Sequence, residues 1–212
     1  MTYSRYRHLA IESAKDSPTQ EQVAAIEKLL GAKLPASFQE YLNVANGGYL
    51  EYTIDVDTGG GGMEPLSFCG LFSAEDGDFC DETFVGEIRS CRETLKAPVR
   101  ILPFARDGGG SMVFLDLTDR GKGRVLALVS GLPAWTNLST ETELIQIADS
   151  FDDYVSKLYI DRGAVLDHLR YDATEPAHVE AIKEWLNIGL PDWSSDKEVR
   201  DAMEDAKLRV CA

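Results

Sequence analysis

The chain has 212 residues, 44% hydrophobic and 27% charged, with 36 acidic residues against 21 basic ones and a net charge of -15. That composition excludes a collagen, a coiled coil, a disulfide miniprotein and a disordered chain, and a globular protein of this size buries roughly 70% of its extended surface without help from disulfides or metals. The charge has the wrong sign for counterion-release binding to DNA or RNA and for docking on anionic membranes, and it favours a basic protein partner. Solubility alone also explains many acidic proteins, so charge by itself names no function.

Residues 1–16 read as a short amphipathic lead-in. Ser17-Pro18-Thr19-Gln20 predicts a helix start, with Ser17 as the cap and Gln20 closing a capping box. Val23, Ile26 and Leu30 follow at helical spacing, and Gly31 stops the helix. Leu34-Pro35 opens a second helix with Phe38, Tyr41, Leu42 and Ala45 as its apolar stripe, and Asn46-Gly47-Gly48 is expected to cap it and turn the chain. Tyr49 to Val56 reads as a strand, Gly59 to Gly62 as a loop, and 66–68 and 71–72 as short strands. Phe84, Ile88, Cys91 and Leu95 then mark one helix face.

Residues 99–104, 112–117 and 125–129 form three apolar runs separated by the Gly/Asp-rich turns 107–110 and 119–123. Such spacing predicts an antiparallel meander, with 144–147 as an added edge strand. Ser150 caps a helix carrying Phe151, Tyr154, Val155 and Leu158, with Asp153 at the capping-box position. Beyond Gly163 the chain is helical and polar, with stripes at Val179, Ile182 and Leu186 and at Val199, Met203, Ala206 and Val210. Eleven acidic residues between 167 and 205 face only four basic ones. The expected organisation is a domain over 1–162 and an acidic helical extension over 163–212.

No motif demands an enzyme. Gly59 to Gly62 lacks the Lys-Ser/Thr and the following helix of a phosphate loop, and Asp107-Gly108-Gly109-Gly110-Ser111 sits between strands, where it reads as a hairpin turn. His8, His168 and His178 lie in no nucleophile or metal motif, and Asp55 and Asp57 share one strand face as solvated acids. Cys69, Cys80, Cys91 and Cys211 contain no C-x-x-C pair and are expected as free thiols of a reducing compartment. No apolar run approaches a membrane span and the N-terminus shows no leader pattern, so a cytoplasmic protein with no catalytic residues, no metal and no cofactor is expected.

The stretch from Glu27 to Gly48, with Leu30-Gly31, Leu34-Pro35, Tyr41-Leu42 and Asn46-Gly47-Gly48 in order, resembles the signature of the SMI1/KNR4 family of the SUKH superfamily. Ile101-Leu102-Pro103-Phe104-Ala105 with Asp107-Gly108-Gly109 resembles the family's central strand and turn. Ile147-Ala148-Asp149-Ser150-Phe151-Asp152-Asp153-Tyr154 resembles its closing helix. The resemblance covers about residues 17–160. It implies an α+β fold, a curved and mainly antiparallel sheet flanked by helices, here with a helical C-terminal extension. It implies no catalytic motif. Bacterial members of the family are widely implicated as immunity proteins that bind and neutralise a toxin, often a nuclease, whereas fungal members resemble regulatory scaffolds. A toxin-binding immunity protein is therefore expected, with a protein-binding scaffold module as the alternative.

A nuclease holds a polyanion in a basic cleft, and an acidic protein competes for it and is steered there quickly. The expected partner surface is the acidic loop Glu75, Asp76, Asp78, Phe79, Asp81 and Glu82, in which charges ring one aromatic residue. A buried Phe79 with merely solvating acids is the alternative, and the acidic helices after Gly163 are the other candidate surface.

Overall fold

The computed structural model describes residues 6, 8–57, 62–75, 82–130 and 143–211. The chain divides into two compact units, Ile11–Leu158 and Tyr159–Ala212 with the residues up to Ala10. Among the described residues are seven α-helices, a six-stranded antiparallel sheet and a two-stranded ribbon, an α+β fold not closed into a barrel.

The larger unit opens with α1 (Gln20–Leu30). Its cap is Thr19, two residues beyond the expected one: Thr19 accepts the Gln22 N–H while the Gln22 side chain accepts the Thr19 N–H. Ser17 is drawn elsewhere, its hydroxyl donating to the Asn43 carbonyl at 3.0 Å. Gly31 ends α1 in the left-handed conformation. Helix α2 (Ala36–Leu42) starts after Pro35 and is capped by Asn43, so Asn46-Gly47-Gly48 is not its cap. Asn46 instead joins two loops, donating to the Asp16 carbonyl at 2.6 Å and accepting the Ala74 N–H at 2.7 Å. The two glycines that follow turn the chain with φ of 70° and 92°.

The strand expected over 49–56 is broken in two. Gly48–Tyr49 (β1) pairs with Gly70–Leu71 (β4), while Thr53–Asp57 (β2) forms the ribbon with Met63–Ser67 (β3). Residues 59–61 of the expected glycine loop lie outside the described residues. Helix α3 (Phe84–Thr94) is capped by the Thr83 hydroxyl, which accepts the Gly86 N–H. The meander follows as Ile101–Arg106 (β5), Met112–Asp116 (β6) and Arg124–Val129 (β7), with Glu143–Ala148 (β8) at the sheet's edge. The order is β1-β4-β5-β6-β7-β8.

Pro103 would weaken an inner strand, and the chain accommodates it with a bulge: Pro103 opposes Phe114 and Ala105 opposes Val113, so Phe104 is the additional residue. Its ring joins a cluster with Phe38 and Tyr41 of α2 and with Phe151 and Tyr154 of α4 (Phe151–Lys157). Phe38 meets Phe151 edge-on at 4.9 Å, and each such contact adds about 0.5–1.5 kcal/mol beyond the area it buries. A second group, Phe114 and Leu126 on the sheet with Cys91 of α3, packs with Ile101, Met112 and Leu128 around it. Both groups bury their large side chains almost completely.

The second unit contains α5 (Arg162–Asp167), a π-helical turn (His168–Asp172), α6 (Pro176–Gly189), a short 3-10 turn and α7 (Lys197–Val210). Val165, Leu169, Val179, Leu186, Val199 and Met203 form its core. Asp196 caps α7 by accepting the Glu198 and Val199 N–H groups, and it also takes the Arg162 guanidinium; these bonds hold its carboxyl down at about 2. Glu198 pairs with both Arg162 and Arg170. Several of the expected acidic-face residues are thus already paired within the second unit.

Candidate functional site: a groove floored by a buried carboxylate

A groove of about 640 Å³ lies in the larger unit, lined by α3, the ends of β1 and β4, and the turn between β5 and β6. The turn is built by Asp107, whose Oδ1 accepts the Gly109 and Ser111 N–H groups at 2.8 and 2.7 Å. This fixes the rim on one side. Helix α3 fixes the other, presenting Glu87, Ser90, Cys91 and Thr94 along one face.

The charged residues of the groove are Glu82, Glu87, Arg106 and Asp107. Arg106 at the end of β5 hydrogen-bonds Glu82. It stands 3.8 Å from Glu87 Oε1, beyond hydrogen-bond length. Glu87 is 2% exposed, and no hydrogen-bond donor among the described residues reaches its Oε1. Burial pushes its carboxyl above the usual range; Arg106 pulls it partly back and the Glu82 charge pushes it up again.

One turn further on, burial and the neighbouring Glu87 charge push the Cys91 thiol up to about 12, so it is protonated at neutral pH and inert as a nucleophile. Its sulfur lies 3.6 Å from that of Met112. The Tyr49 phenol is also pushed up, mainly by its hydrogen bond to Cys69.

Only part of the expected partner loop is described. Asp76, Asp78, Phe79 and Asp81 lie outside the described residues, as does Cys80. The loop's two ends are tied together: the Ser73 N–H donates to the Glu82 carbonyl at 2.9 Å and the Phe84 N–H to the Ser73 carbonyl at 2.9 Å. Glu75 pairs with Lys15, and Glu82 pairs with Arg106. Of the expected residues the structure therefore brings Glu82 into the groove and holds Glu75 on the lead-in segment.

Sequence reasoning missed Glu87 and Arg106. The signal for Glu87 is present: it sits three residues after Phe84 and four before Cys91, inside the apolar stripe of α3. Arg106 arrives from a different element and leaves no local trace. Elsewhere, His168 Nδ1 lies 2.6 Å from the Asp172 carboxylate, and His178 Nδ1 lies 3.3 Å from the Thr174 hydroxyl. Asp55 and Asp57 both lie exposed on β2. Among the described residues no group of three or more His, Cys, Asp or Glu is placed to hold a metal ion, and no helix is long and apolar enough to cross a membrane.

No curated protein matches the chain significantly. The model of the SMI1 / KNR4 family (SUKH-1) matches residues 17–157, a span that contains both helices of the first motif, the whole six-stranded sheet and every residue of the groove. The bulged Pro103 strand, the Asn46 joint and the Ser150-capped α4 are the structural forms of the three motifs that resemble this family, and the chain belongs to the SMI1 / KNR4 family (SUKH-1).

Proposed function

We propose that this chain is an immunity-type protein, which binds a toxin domain in the bacterial cytoplasm and neutralises it without catalysis of its own. The family match over residues 17–157 carries the reading. The net charge of -15 supports a partner with a basic surface, such as the nucleic-acid cleft of a nuclease. The protonated Cys91 thiol suits a recognition groove better than a nucleophilic centre.

The test is to look for a toxin domain encoded beside this chain's gene and to co-express the two in a host which that domain poisons. Growth restored by this chain, and by no unrelated acidic protein of similar charge, is the expected outcome. Continued poisoning with both proteins soluble contradicts the proposal.

A further inference from the structure

Glu87 leaves the groove with an unmet demand. Its side chain is almost wholly buried and its Oε1 takes no hydrogen bond from a described residue. Arg106 bonds Glu82 and stands at ion-pair distance from Glu87, 3.8 Å from Oε1, so it offsets the charge in part and leaves the hydrogen bond unmade. Asp107 is different: its Oδ1 already receives two backbone N–H groups. The lining also includes the apolar side chains of Leu95, Met112 and Leu128 and the hydroxyls of Ser90 and Thr94. Three carboxylates and one guanidinium make the lining net acidic.

A cation on an aliphatic stem matches both halves of this surface. A guanidinium is a planar fork that suits a carboxylate with two open oxygens, whereas a compact ammonium suits one unmet oxygen. We propose that the groove receives a lysine side chain of the protein partner, with its ammonium paired with the Glu87 carboxylate and its methylene stem against the groove's apolar lining. The assignment rests on the reading of this domain as a protein binder, and it names the chemistry the partner presents.

The test uses the full chain, labelled with nitrogen-15, and two blocked tripeptides: glycine–lysine–glycine and its neutral analogue with norleucine. Saturable amide shifts at Ser90, Thr94 and Gly110, with the lysine peptide at least tenfold tighter than the norleucine peptide, are expected. Glu87→Gln should remove that preference while keeping the native amide spectrum. Arg106→Gln removes the competing cation and should tighten lysine binding several-fold. Equal affinity for the two peptides, or a lysine preference that survives Glu87→Gln, overturns the assignment. If Glu87→Gln does not fold, Arg106→Gln decides, and unchanged or weaker lysine binding is the overturning result. No toxin enters this experiment. A lysine preference without toxin rescue contradicts the immunity reading alone, and rescue without a lysine preference contradicts the groove assignment alone.

Discussion

Asp116 and Glu87 are both buried carboxylates, 3% and 2% exposed, and they titrate in opposite directions. Burial pushes both up. At Asp116 the push is overcome, because Oδ1 accepts the Thr118 N–H at 3.0 Å and hydroxyl at 2.6 Å while Oδ2 accepts Arg124 Nε at 3.0 Å, and the carboxyl ends below its usual range. At Glu87 no comparable donors arrive, and the carboxyl stays raised.

The sign for stability follows. A carboxyl raised in the folded state binds its proton more tightly than the unfolded chain does, so stability is lost as pH rises from the unfolded value near 4.5 towards the raised one. Glu82, Arg106 and Cys91 are the charged or titratable groups around it, and only Arg106 opposes the shift. Glu87→Gln cannot ionise. It should therefore raise the denaturant midpoint at pH 8 while changing it little at pH 4, and a midpoint lowered at pH 8 contradicts this account. An ammonium seated beside Glu87 would reverse the shift by stabilising the charged form.

Between elements, the joints decide the fold more than the elements do. At Gly48 φ is 92°, and a Cβ there would stand 2.4 Å from the Glu12 carbonyl oxygen and 2.8 Å from the Ala14 backbone nitrogen. Gly48→Val should destabilise the protein by about 1–3 kcal/mol, since it combines backbone strain with a collision that backbone cannot relieve. Denaturant unfolding checks it; a parent-like midpoint would show the turn to be plastic.

The same joints explain what was legible in the sequence. The stripes of α1, α2, α3 and α4 and the three-strand meander are periodic and local, and the pattern finds them. The α1 cap is displaced because Ser17 reaches Asn43, 26 positions away, and the first strand splits because β1 pairs with β4 while β2 turns to β3. Long-range partners of this kind write nothing into their neighbours. Half of the groove was legible for the same reason: Glu82 stands out in an acidic run and Glu87 in a helical stripe, but the approach of Arg106 to both depends on the register of β5.

At the scale of the molecule, the excess of acid is unevenly matched. Glu75 and Glu82 are paired with Lys15 and Arg106, and Asp196, Glu198, Asp201 and Glu204 are paired with basic residues of their own unit. Exposed pairs of this kind contribute little to stability, so the charge serves solubility and steering. If the loop from Glu75 to Glu82 is the surface that meets the toxin, its charges set the association rate and Phe79 sets the dissociation rate.

The most direct measurement is stopped-flow association of the purified chain with the toxin domain at two ionic strengths. One-to-one binding is expected, faster than the unsteered ~10⁵–10⁶ M⁻¹s⁻¹ and slowed by salt. Joint neutralisation of Glu75, Asp76, Asp78, Asp81 and Glu82 should slow association and flatten its salt dependence, while Phe79→Ala should mainly speed dissociation. Unchanged rates for the charge variants would move the interface to the acidic helices after Gly163. An absence of binding at either ionic strength would contradict the central claim that this domain neutralises its partner by direct capture.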